Sequence, residues 1–156
     1  MSNRQADALR REMLGSSDPE AVFVTLKPIS ITPKRLKKLA PGDLIDGFDP
    51  LHLRIVRGDR VIARAKLGQI SGVEAIHIVS TEPEPFPLGA GGKKHLLEGR
   101  LRRLSKTHFE SGEILEYPDP LSRHLLLLAD RHPVALGELV EYDGEAIVRV
   151  TELLGG

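Results

Sequence analysis

Six histidines, 22 acidic side chains and one glycine-rich stretch are the residues of this chain that could do chemistry. The histidines are His52, His77, His95, His108, His124 and His132. No two of them sit in H-E-x-x-H spacing, and there is no cysteine, so neither a helical zinc site nor a thiolate site is spelled out. His52 and His124 fall at solvent-facing phases of predicted strands and read as surface or satisfied positions. Asp43, Asp46 and Asp49 recur every third residue, whereas a calcium loop needs alternate positions and a closing Glu. With Glu113, Glu116 and Asp119 in an equivalent place downstream, these carboxylates read as edges of turns. Gly89-Ala90-Gly91-Gly92-Lys93 invites a phosphate-loop reading. That pattern needs glycine where Pro87 stands and Ser or Thr where Lys94 stands, so the stretch reads as linker. A Ser-His-Asp triad assembled from distant positions leaves no local signature, and none is visible locally. The expectation is a protein that is not an enzyme, with no catalytic residue, cofactor or metal.

Two basic clusters point to a different kind of chemistry. Lys34, Arg35, Lys37 and Lys38 form one, and Arg100, Arg102, Arg103 and Lys106 the other. Each reads as a solvated helix face. The functional alternatives are an acidic protein partner or a nucleic acid, the latter as a small β-barrel binding module. Lys plus Arg and Asp plus Glu both total 22, so no global field draws the chain to a polyanion. Aromatic residues are only 4% of the chain and tryptophan is absent, which leaves few platforms for stacking bases.

The elements that would carry these residues are mostly strands. Residues 2–14 read as a short helix, with Ala6, Leu9 and Met13 on one face. From Ala21 the apolar residues alternate as in strands. Thr32-Pro33 is a helix start, with threonine as cap and proline in the first turn. Leu51–Val56 and Arg60–Leu67 read as a hairpin around Arg57-Gly58-Asp59, and Glu74–Val79 follows the Ser71-Gly72 turn. Residues 82–94, rich in proline and then glycine, read as a linker. The expected organisation is a tail at 1–20, a first domain at 21–81, the linker, and a second domain at 95–156. No apolar run of 18 residues and no apolar signal core occurs, so a soluble, cytoplasmic protein is expected.

The second half repeats the first. Pro41–Pro50 aligns with Ser111–Pro120 at an offset of 70, and Ala63–Leu67 with Ala135–Leu139 at 72. The second register continues through Gly72 and Gly144, Ile76 and Val148, Ile78 and Val150. Asp59-Arg60 is set opposite Asp130-Arg131, with two residues inserted in the hairpin of the second copy. Shared turns and a shared apolar phase suggest one motif used twice. Such a pair would hide its apolar faces as a two-fold dimer does.

Ala135-Leu136-Gly137-Glu138-Leu139-Val140, Asp143-Gly144 and Val148-Arg149-Val150-Thr151-Glu152-Leu153 in the second copy resemble the surface-presentation-of-antigens (SpoA) domain. So does Ile31-Thr32 through Leu39-Ala40-Pro41-Gly42-Asp43 in the first. This is the C-terminal module of the flagellar switch proteins FliM and FliN and of the YscQ/HrcQ-type proteins of type III secretion. The first copy departs by Ala65 in place of glycine and by Ile76-His77-Ile78. The second departs by a shortened helix, Ser105 to Glu110, and its basic lead-in. The resemblance, spanning roughly residues 21–154, implies a mainly β fold with short helices: two tandem SpoA-like domains packed as a pseudo-two-fold intertwined pair. It also implies a subunit of a flagellar motor switch or C-ring, or of a secretion sorting platform. Such a subunit would work at the cytoplasmic face of a membrane-embedded complex. Its implied partners are other ring subunits, an export-ATPase regulator of the FliH/SctL type, and copies of itself.

The residues expected to form the paired interface are Leu53, Ile55, Val61 and Leu67 in the first copy. In the second they are Leu125, Leu127, Val134 and Leu139. The run Leu125-Leu126-Leu127-Leu128 is apolar on both strand faces, so both faces need cover, from the other copy or from a partner.

Overall fold

The computed structural model describes residues 20–87, 89 and 91–154. The helix read at 2–14 lies outside them. Eleven strands make up one antiparallel sheet: β1 (Val22–Ile31), β2 (Leu44–Ile45), β3 (Leu53–Arg57), β4 (Arg60–Ile70), β5 (Val73–Ser80), β6 (Glu84–Pro85), β7 (His95–Leu104), β8 (Ile114–Tyr117), β9 (Leu125–Ala129), β10 (His132–Tyr142) and β11 (Glu145–Leu153). One short helix, α1 (Pro33–Lys37), follows β1, and a single 3-10 turn covers Leu121–Arg123. The mainly β character expected of the chain is thus present.

The strand order is β2-β11-β10-β9-β7-β1-β3-β4-β5-β8, with β6 beside β4. Exchange each strand of the first half for its counterpart in the second, and the order reads the same backwards. β1 and β7 meet at the centre. The outermost strands are traded: β2 of the first half pairs with β11 of the second, and β8 of the second pairs with β5 of the first. The registers agree: Ile45 faces Val148 where Leu115 faces Ile76. The backbone bonds agree as well. Gly42 N donates to Val150 O at 2.7 Å, and Gly112 N to Ile78 O at 2.8 Å.

Even the irregularities recur. Ile62 is skipped between β3 and β4, and Val134 between β9 and β10. Val79 is skipped on β5, and Thr151 on β11. A bulge bends its strand and increases twist. Leu67 of β4 and Leu139 of β10 consequently line one cleft, although the two strands lie five pairings apart. Residues from both halves, including Val24, Leu26, Ile45, Leu53, Ile55, Ile76, Leu97, Leu125, Leu127 and Val148, join in one apolar core.

Local chemistry explains most of these elements. Thr32 Oγ1 accepts from Arg35 N at 3.2 Å and caps α1. The Ser71-Gly72 and Asp143-Gly144 turns have two successive residues at positive φ, as the twist of a two-residue hairpin requires. Asp43 and Glu113 each fold back on the preceding turn: the Asp43 carboxylate accepts from Ala40 N at 2.9 Å, that of Glu113 from Glu110 N at 3.0 Å.

Several expectations are corrected. Ser105 to Glu110 is not a helix. It lacks the proline start of α1, carries the poor helix formers Thr107, His108 and Phe109, and gives its Thr107 carbonyl to Arg57 at 2.9 Å. The two extra residues of the second half are not in the hairpin. They lie before β9, where four residues separate Pro120 from Leu125 and two separate Pro50 from Leu53. Gly58 therefore corresponds to Asp130. Leu51 does not open β3; it is 61% exposed, in an Asp49-capped turn where Asp49 Oδ1 accepts from Leu51 N at 2.8 Å. Within 82–94, Glu84-Pro85 pairs with Arg60-Val61 of β4 and Phe86 is buried, so this part of the stretch is a packed strap.

Candidate protein-interaction site

Of the eight interface residues read from the sequence, Leu53, Ile55, Leu125 and Leu127 are fully buried in the shared core. Leu67, Val134 and Leu139 are partly buried against it. Val61 faces the other side of the sheet and packs with Val56, Phe86 and Leu96. The bulge at Ile62 shifts the phase of β4, a change that a strict alternation of residues does not reveal.

Leu67 and Leu139 lie in corresponding positions on opposite walls of a cleft of about 450 Å³. Pro50, Gln69, Ser122, Val140, Glu141, Gly144 and Ala146 complete it. A second hollow of about 350 Å³ shares Pro50 and Ala146 with it and adds Phe48, Asp49, Leu51 and Glu145. The two run together into one groove at the junction of the halves. Leu51 at its rim and Tyr142, 57% exposed near the β10–β11 turn, present apolar surface to solvent. One edge is fastened by Ser122, whose N and Oγ both donate to the Glu74 carboxylate, the former at 3.1 Å. This is a groove that can bury apolar side chains of a partner. Of its polar groups, Ser122 is bonded to Glu74, and Asp49 to the Leu51 amide and His52.

Comparison with known protein families and with curated proteins finds no match.

The residues with chemical potential are spread over the molecule. Among the described residues no three of His, Asp or Glu gather as a metal site would require. His52 lies outside β3, exposed, with Nδ1 2.7 Å from Asp49 Oδ2. His124 lies just before β9 and is half-buried. His95 Nδ1 lies 2.6 Å from Asp130 Oδ2, while Leu96 N donates to Asp130 Oδ1 at 2.9 Å. Those two bonds hold the Asp130 carboxyl below the usual carboxylate range. Asp49 is lowered too, first by the Leu51 amide, and Glu84 first by the Arg64 guanidinium. The glycine-rich stretch leads into β7, a strand, where a phosphate loop would open a helix. A further hollow of about 680 Å³ along Lys106 and His108–Glu113 is walled by one loop. Its Glu113 carboxylate is already held by Lys106 at 2.9 Å and by the Glu110 amide.

The basic clusters part company. Lys34, Arg35, Lys37 and Lys38 are exposed around α1. Arg100, Arg102 and Arg103 are on the central strand β7, not on a helix face. Arg100 is buried beside buried Glu98 at 3.2 Å, with its guanidinium 4.0 Å from the Phe23 ring centroid. Burial lowers the Arg100 pKa, and Glu98 opposes that shift. Arg102 pairs with Asp119 at 3.2 Å, and Lys106 is held by Glu113.

Sequence reasoning missed Arg131. It adopts φ of 70°, unfavourable for an arginine. From there it reaches Glu98 Oε1 at 3.5 Å, donates to Gly58 O at 3.0 Å and stacks over Phe86 at 4.4 Å. One side chain thus ties the second hairpin to β7, to the first hairpin and to the strap. The positive φ was hidden because neither Arg131 nor Asp59, its counterpart in the first half, is a glycine.

Proposed function

We propose that this chain is a non-enzymatic adaptor of a type III secretion or flagellar cytoplasmic complex, built from two SpoA-like units that grip each other. Its work is to bind ring subunits and an export-ATPase regulator. The observation that carries the reading is the strand order: it is unchanged by swapping the halves, and each half lends its edge strand to the other. Two small units that exchange strands form one rigid body, with a groove where they meet. In that groove Leu67 and Leu139 are offered together.

Affinity would come from apolar burial at about 25 cal/mol per Å², reduced by the cost of association. Nucleic-acid binding is less favoured. Arg100, Arg102 and Lys106 are committed to acidic neighbours, and net charge is zero.

Co-purification from the native host with protein identification tests the proposal. Ring subunits or an export-ATPase regulator should be recovered, and the double substitution Leu67→Glu with Leu139→Glu should lose them while circular dichroism is unchanged. Recovery of no secretion or flagellar component, or duplex binding that falls steeply with salt, would overturn the reading.

A further inference from the structure

Arg54 of β3 and Arg64 of β4 are cross-strand partners on the face of the sheet turned away from the core. Like charges directly opposite one another destabilise a sheet unless something answers them. Glu84 of the strap answers both, 3.4 Å from Arg54 and 2.5 Å from Arg64. Lys27 of β1 joins them. With the two arginines it lines a hollow of about 290 Å³, and its charge reaches Glu84. Among the described residues, Glu84 is the one acid lining that hollow, against three cations. Glu82 also acts on Arg64, from outside the hollow. Pairing β3 with β4 does not require these charges, because the second half sets Leu126 opposite Leu136 at the corresponding positions.

We propose that this hollow binds a phosphate group, held by Lys27, Arg54 and Arg64. A dianion balances the positive charge that Glu84 leaves over among the lining residues. An arginine fork matches phosphate oxygens in its own plane, and a lysine adds a compact charge. The Arg54 side chain is only 12% exposed, so salt screens its attraction weakly. Burial lowers the Arg54 pKa, and the Arg64 charge lowers it further. An anion in the hollow relieves that repulsion. The wall is already set: Phe86 N donates to Asp59 O at 2.8 Å, and Pro85 and Pro87 restrict the strap backbone. Little ordering is therefore left for binding to impose. The volume lies near the lower end of ligand sites, about 300 Å³, which suits free phosphate or a small phosphate ester.

Carbon-detected spectra of the full chain, following the Arg54 and Arg64 Cζ signals, test this. Inorganic phosphate and phenyl phosphate, each titrated at constant ionic strength, should shift both signals to saturation, and chloride should not. Lys27 is exposed, so Lys27→Gln should leave the fold intact. Losing its charge-assisted bond should weaken phosphate binding roughly ten-fold. Tighter binding of phenyl phosphate would support the site and assign it to an ester; equal binding would support it as a site for the free ion. Shifts that stay linear with both probes, or that chloride reproduces, would overturn the proposal. So would unchanged affinity in Lys27→Gln.

Discussion

Glu98 and Arg100 are a charged pair buried in the centre of the sheet, with Arg131 also reaching Glu98. Removing one partner from such a pair leaves a buried charge, whereas replacing both with apolar residues is often neutral. Arg100→Met alone should therefore cost about 3–5 kcal/mol, and Glu98→Leu with Arg100→Met much less. Urea unfolding of the two variants measures this, and equal losses would refute it. Gly137 makes a steric case: a Cβ there would lie 2.8 Å from the Arg149 carbonyl oxygen and 3.3 Å from Val148 Cγ1. Gly137→Ala should destabilise by about 1–3 kcal/mol through overpacking, seen as a lower midpoint at unchanged slope. Asp130 makes an electrostatic one. Its folded pKa lies below the ordinary 3.8 because His95 and the Leu96 amide bond its ionised form. The stability it adds is present above that ordinary value and is lost as pH falls through the lowered one. Asp130→Asn should thus be less stable than wild type near neutral pH, with the gap closing in acid. A gap that widened in acid would contradict the assignment.

At the scale of elements, the hairpins and α1 were legible because their signals are local. A threonine cap followed by proline, two-residue turns and short β alternations each carry their own instruction. β7 was not legible. Its sequence, His95-Leu96-Leu97-Glu98-Gly99-Arg100-Leu101-Arg102-Arg103-Leu104, puts charges where a central strand should be apolar. Glu98 beside Arg100, the Phe23 ring against it and Arg131 reaching Glu98 help make that burial tolerable, and those are tertiary facts. The candidate site was half legible for the same reason. The leucine pattern gave Leu67 and Leu139, but their meeting across the groove depends on bulges that a period of two does not encode. Deleting the side chain at the buried centre of β9, Leu127→Ala, should cost about 2–5 kcal/mol. The same change at half-buried Val134 should cost less. The order of the two thermal midpoints checks the phase assigned to β9 and β10.

At the scale of the whole molecule, no helix among the described residues is long and apolar enough to cross a membrane. What defines the chain is the exchange of β2 and β8. Neither half closes its own sheet edge, and the inward residues of both enter one core. The stretch read as a linker contributes a strand and Phe86, so it fastens as well as connects. The groove at the junction exists only while the halves are together, which would couple partner binding to folding of the pair. The measurement that tests this most directly is the mass in solution of residues 95–156 produced alone, together with their circular dichroism. Lacking β2 at the edge of β11 and β1 beside β7, the fragment should be unfolded, or folded only as a dimer that trades β8 between copies. A folded monomer of residues 95–156 would contradict the account.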